Sequence, residues 1–112
     1  GLIMPKQSNR YFVYILADVD KTMYTGVTAD LYRRLWQHRT GAGSKFASMH
    51  FVTKLVWFDE TDDVTVAIGS EKQIKTWRRK WKLDLVESGN PGWLDLADGW
   101  YGIEADSESS SE

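Results

Sequence analysis

Two runs rich in β-branched and aromatic residues, Arg10 to Ala17 (RYFVYILA) and Thr22 to Thr28 (TMYTGVT), flank the short turn Asp18-Val19-Asp20-Lys21. That composition around a short break predicts a β-hairpin, so two antiparallel strands open the domain. Thr28 or Asp30 can cap a following helix with Leu31 and Leu35 on its apolar side, ending at Gly41. Residues 41–50 (GAGSKFASMH) have loop composition, and Val52 to Phe58 (VTKLVWF) reads as a third strand. Asp62 or Asp63 then caps the longest helix, roughly Val64 to Trp81, whose apolar positions are Val64, Ala67, Ile68, Ile74 and Trp77 or Trp81. A short helical piece to about Ser88 and the stretch Gly89-Asn90-Pro91-Gly92-Trp93 close the domain. The order β-β-α-β-α-α predicts an α+β fold, a three-stranded antiparallel sheet flanked by helices.

The chain has 112 residues, room for one core, and six Trp give it large apolar areas to bury. The expected domain is residues 10–101, after a lead-in at 1–9 and before an acidic, low-complexity tail at 102–112 that ends in EADSESSSE. No apolar run approaches the roughly 18 residues of a membrane helix, and the N-terminus lacks a signal-like stretch. A cytosolic protein without a membrane partner is expected. With no Cys and two His, disulfides, thiolate zinc sites and cysteine nucleophiles are excluded. The net charge of −2 hides a segregation. In residues 1–82, fourteen Lys and Arg against eight acids give +6, whereas residues 83–112 carry eight acids and no Lys or Arg, giving −8. A basic body fits a polyanionic partner, and equally a solvated surface balanced by a solubilising tail.

Several residues could carry chemistry. A hairpin loop centred on Val19 sets Tyr14 opposite Tyr24 on one face, as a packing pair or a pair of reactive phenols. Gly26, on the same face, marks either a bend or a close backbone approach by a ligand. Arg34 and His38 are four apart and share a helix face, while Arg33 and Arg39 point elsewhere, to phosphates or to solvent. Glu71 interrupts the apolar stripe of the long helix, four after Ala67 and three before Ile74. A carboxylate there is costly unless paired, for instance with Arg34, or bound to metal. Lys72, Lys75, Arg78, Arg79, Lys80 and Lys82 crowd the turns around Trp77 and Trp81. They form either a backbone-binding face or a solvated helix whose long stems shield Trp. Asn90 is held extended by Pro91 and either presents its amide inward or starts a turn. Lys45 in the Gly/Ser loop can reach a phosphate or water.

Phe12-Val13-Tyr14, Tyr24-Thr25-Gly26, Arg34, His38, Glu71 and Asn90 together resemble the GIY-YIG nuclease superfamily. The segment SEKQIKTWRRKWKLDLVESGNPGW is similar to the E-K-x-I-K-x-W-x-R and N-P-x-W signature of its small stand-alone bacterial branch, and the likeness covers about residues 10–96. The resemblance implies a metal-dependent nuclease module like the N-terminal catalytic module found in excision-repair nucleases. On matching positions, Glu71 would hold a divalent cation, Mg²⁺ or Mn²⁺. Tyr24 would orient or deprotonate the attacking water, helped by Tyr14 and His38. Arg34 would hold the scissile phosphate and Asn90 would brace the site. Arg34 and the cation would both lower a phenol pKa from about 10. Arg33, Arg39, Lys45, Lys72, Lys75, Arg78 and Arg79 are the candidate nucleic-acid contacts. DNA is expected over RNA, cleaved with selectivity for structure in repair or recombination.

Two departures stand out. Phe12-Val13 replaces the Gly-Ile of the family's name motif, and Val27 stands where excision-nuclease relatives carry Lys. The domain has no room for an added DNA-binding unit, so selectivity is expected from nucleic-acid shape or a protein partner, with the protein a monomer or weak dimer. A non-catalytic nucleic-acid-binding module on the same scaffold, or an interaction domain using Trp93 and Trp100 as exposed anchors, are the alternative readings.

Overall fold

The computed structural model describes residues 10–39 and 54–101. Within them the chain runs β1 (Tyr11–Ala17), β2 (Met23–Thr28), α1 (Leu31–Arg39), β3 (Lys54–Thr61), α2 (Val64–Thr76) and α3 (Arg79–Gly89). The strands form one antiparallel sheet in the order β2-β1-β3, the α+β arrangement that the sequence predicts. The lead-in, the acidic tail, the end of the first helix at Gly41, Lys45 and the expected strand start at Val52 lie outside the described residues.

The caps follow from local chemistry. Asp30 Oδ1 accepts the Arg33 amide at 3.0 Å to start α1, and Asp63 Oδ1 accepts the Thr65 amide at 2.9 Å to start α2. Central β1 is buried from Val13 to Ala17 because its residues alternate between two layers. Val13, Ile15 and Ala17 join Val56, Ala67, Ile74, Val86 and Trp93 under α2 and α3. Tyr14 and Leu16 join Leu31, Leu35, Leu55, Ala97 and Tyr101, with Phe12 and Tyr24 packed against them.

Three expectations need correction. The hairpin pairs Tyr14 with Gly26 and Leu16 with Tyr24, two residues from the register that a loop centred on Val19 gives. Lys21 adopts a left-handed φ of 65°, and Asp18 Oδ1 accepts the amides of Asp20 and Thr22 at 2.8 and 2.9 Å, so the loop extends to residue 22. Because the shift is even, both tyrosines stay on one face. The long helix does not reach Trp81. Trp77 and Arg78 are extended, with ψ of 149° and 158°, and a second helix starts at Arg79. In one straight helix Val86 would lie about 18 Å beyond Ile74. The break instead brings both into one layer; of the expected apolar positions, Val64 and Ile68 lie at the surface. Finally, Trp93 is buried, with its indole N–H donating to Glu87 Oε2 at 2.8 Å, so it is a core residue and not an exposed anchor.

Candidate active site

The two tyrosines and His38 converge where β1, β2 and α1 meet. The Tyr14 ring lies 6.3 Å from that of Tyr24 and 6.2 Å from His38, and the Tyr24 and His38 rings are 5.3 Å apart at 62°. Tyr14 is fully buried, Tyr24 half-buried, and His38 buried on the last turn of α1. The Tyr14 hydroxyl meets His38 Nε2 at 3.3 Å. His38 Nδ1 is buried and has no hydrogen-bond partner among the described residues.

Gly26 has a steric reason other than the approach of a ligand. A Cβ there would stand 2.5 Å from the Tyr14 hydroxyl oxygen and 2.6 Å from the adjoining ring carbon, so the Tyr14 ring occupies the space that glycine leaves.

Burial sets the protonation of this group. Removal from water, reinforced by Tyr24, pushes the Tyr14 phenol up to about 12. Arg34 opposes this through its charge and a hydrogen bond, and Glu71 adds slightly to the rise. For Tyr14 the lowering expected from Arg34 is therefore outweighed by desolvation. His38 moves below its ordinary 6.5, first because it is buried and then because Arg34 is near. Near neutral pH the cluster thus holds a protonated phenol and a neutral imidazole. The hydroxyl can accept from Arg34 and donate to His38 Nε2.

Glu71 approaches from α2. Its side chain is 13% exposed and pairs with Lys75 at 2.6 Å, one helical turn on, and not with Arg34. Lys75, expected as a phosphate contact, is the partner of that carboxylate in this structure and stays half exposed. Arg39 is likewise engaged: its guanidinium pairs with Asp95 at 2.7 Å and lies 5.5 Å from the Tyr101 ring centre. The Arg78 guanidinium sits 5.3 Å from the ring centre of Trp81, and Arg79 donates to the Lys21 carbonyl at 3.0 Å. Lys72 is exposed. Arg33 and Arg34 line a polar cleft of about 290 Å³ with Thr28 and Gln37.

Asn90 stands apart from this cluster. Buried at the end of α3, its Nδ2 donates to the carbonyls of Val56 and Leu94 at 3.1 and 2.9 Å, and its Oδ1 accepts the Leu94 amide at 3.0 Å. It ties α3 to β3 and to the following turn. Sequence reasoning missed Asp95, which performs a similar task. Asp95 Oδ1 accepts the amides of Leu55 and Ala97, both at 3.1 Å, while Oδ2 binds Arg39. The only local signal was an acid that could bond the amide two residues on, a pattern common to many turns.

Residues 10–84 match the family described as the GIY-YIG catalytic domain. The chain is 35% identical over 79 residues to a UPF0213 protein of Haloquadratum walsbyi, covering 70% of this chain and 89% of that one. It is 37% identical over 84 residues to a UPF0213 protein of Syntrophus aciditrophicus, covering 74% and 95%. The solution NMR structure of a UPF0213 protein from Bacillus halodurans aligns with a TM-score of 0.51 at 30% identity, over 75% of this chain and 89% of that one. Tyr14, Tyr24, Arg34, His38 and Glu71 all fall inside the matched stretch, and by that match the chain belongs to the GIY-YIG nuclease family.

Proposed function

We propose that this domain is a metal-dependent endonuclease that hydrolyses phosphodiester bonds in DNA, selective for structure and serving repair or recombination. The observation that carries the reading is the Tyr14, Tyr24 and His38 cluster, with Arg34 and Glu71 close enough to act on the same phenol. A phosphodiesterase needs a cation for the phosphate, a positioned water and a route for its proton, and these five side chains supply those parts.

The residues fit a divalent cation of the Mg²⁺ or Mn²⁺ type. Mg²⁺ keeps most of its waters and takes one or two carboxylates together with substrate oxygens. Glu71 is one part-buried carboxylate whose present partner, Lys75, is half exposed and free to swing aside. Among the described residues no group of three or more His, Cys, Asp or Glu forms a denser cage. Glu71 would hold the ion, which when bound supplies charge neutralisation at the phosphate and acidifies water.

Arg34 clamps the scissile phosphate from the polar cleft. Tyr24, the more accessible phenol, orients the attacking water and, as it takes up the water's proton, releases its own hydroxyl proton to bulk solvent. Tyr14 stays protonated and fixes neutral His38 through the 3.3 Å contact, and the two rings together hold Tyr24 in place for the water. Asn90 braces the fold behind the site through its three backbone bonds. Lys72, Arg78 and Arg79, with Arg33, extend the surface to flanking phosphates. The proposed setting is the cytosol, as a monomer or weak dimer with a protein partner adding selectivity. No helix of the described residues is long and apolar enough to cross a membrane.

Cleavage of labelled plasmid, branched, flap and single-stranded DNA with Mg²⁺, Mn²⁺ or EDTA tests the assignment. Glu71→Gln is expected to abolish metal-dependent products while leaving the melting temperature near that of the parent. Tyr24→Phe should lose roughly 10²–10⁴-fold, the contribution of a positioned base. Full activity in Glu71→Gln would remove the metal role. A blank panel with salt-sensitive binding would reassign the domain as a binding module.

A further inference from the structure

The sheet face that carries Tyr14 also carries a groove that the catalytic assignment leaves unused. It holds about 520 Å³ and is walled by Phe12, Leu31, Tyr32, Phe58 and Trp100, with Ala29 and Asp30 at one end. Tyr32 and Trp100 stack at 18° and 6.2 Å, Phe58 meets Trp100 edge-on at 6.4 Å, and Phe12 meets Phe58 at 6.4 Å. Phe12 and Trp100 pack against the core, whereas the other two rings stay open to solvent, Tyr32 54% exposed and Phe58 36%. Phe12 precedes Tyr14 by one pleat of β1, about 7 Å, so the groove adjoins the site.

The charge beside the groove identifies its occupant. Ala29 and Asp30 are shared with the polar cleft of Arg33 and Arg34, so an apolar aromatic trough and a pair of guanidinium groups have a common wall. Asp30 sets one negative charge against the two guanidinium groups, its Oδ1 capping α1 at the Arg33 amide, so the shared wall keeps a net positive charge. A ligand filling both spaces must carry a flat π-system joined to an anion. An unpaired nucleotide has that form, whereas in a duplex the faces of the bases are covered by their neighbours.

We propose that this groove stacks an unpaired base next to the phosphate held by Arg34, and so makes the domain selective for single-stranded or locally opened nucleic acid. The proposal rests on the nuclease reading and names the feature of the substrate that the site recognises. Phe58 and Tyr32 are the stacking surfaces, and Arg33 holds the neighbouring phosphate.

The test is binding of labelled oligothymidylate, oligouridylate and a blunt DNA duplex to the full chain in EDTA, where no cleavage occurs. Phe58→Ala is expected to weaken oligothymidylate about tenfold, the loss of one base–aromatic stack, and to leave duplex binding unchanged. Phe58→Trp should restore the affinity, which a role confined to folding would not predict for a bulkier side chain. A 2-aminopurine placed along the strand should be quenched at one position by the parent and not by Phe58→Ala. The uridylate arm distinguishes a DNA from an RNA strand, and stacking on either supports the groove. Unchanged oligonucleotide affinity in both Phe58→Ala and Tyr32→Ala overturns the groove and leaves the nuclease reading intact. Equal weakening of strand and duplex also overturns it. Failure of the parent to bind any of the three nucleic acids overturns both readings and turns the groove over to a protein ligand.

Discussion

Alternate residues of β1 enter two layers of opposite character. Val13, Ile15 and Ala17 meet Val56, Ala67, Ile74 and Val86, a mostly hydrocarbon layer whose Trp93 indole N–H is met by Glu87 and in which a well-shaped side chain of the right volume serves at most positions. Phe12, Tyr14 and Leu16 enter a layer that also buries hydroxyls and an imidazole, where each polar atom has a specific demand. Tyr101 meets its demand by donating to the Tyr32 carbonyl at 2.5 Å, and Arg39 by pairing with Asp95. One layer supplies cohesion, and the other fixes geometry at some cost in cohesion. The candidate site sits on the second.

Substitutions confined to one layer separate these roles. Ile15 is fully buried in the hydrocarbon layer, and Ile15→Ala should cost about 2–5 kcal/mol in urea unfolding, with cleavage per folded molecule unchanged. A matching fall in turnover would break the separation. On the polar side, Gly26→Ala forces the Tyr14 ring away from an added methyl, with a cost of about 1–3 kcal/mol. Here turnover should fall as well, because the Tyr14 to His38 contact moves, and normal activity would show that Tyr14 need not be fixed. The smallest effect concerns pH. His38 resists protonation in the folded state, so its contribution is present above pH 6.5 and is lost as pH falls through its lowered value, with a slope of at most about 1.4 kcal/mol per pH unit. For Tyr14, raised to about 12, the stabilisation is complete below pH 10 and is lost as pH rises through about 12. Melts across both windows should show each limb, with the acidic one flattened in His38→Phe.

What was legible in the sequence was mostly local. The strands, both caps and the clustering of Tyr14, Tyr24 and His38 depend on neighbours in the chain or on the twofold alternation of a strand. The hairpin register was missed because Lys21 takes a left-handed conformation that its side chain does not advertise. The face was still right, since a slip of two preserves it. Glu71 stood out as an anomaly, but its partner was a turn away on its own helix and not across the site. The break at Trp77 has no Pro or Gly to announce it, since packing of Ile74 and Val86 into one layer decides it. Asp95 was invisible because its partners, Arg39 and Leu55, lie on other elements.

That Asp95 link bears on where the domain can be cut. The match to the catalytic-domain family ends at residue 84, yet Ala97 and Tyr101 pack with Leu35 and Leu55 in the layer that holds Tyr14, and Asp95 accepts the Leu55 amide. A fragment trimmed to the shared stretch would retain five of the six proposed site residues and lose both the Asn90 and the Asp95 fastenings. The family match marks out the chemistry, while seventeen residues beyond its end Tyr101 still clasps the first helix by donating to the Tyr32 carbonyl.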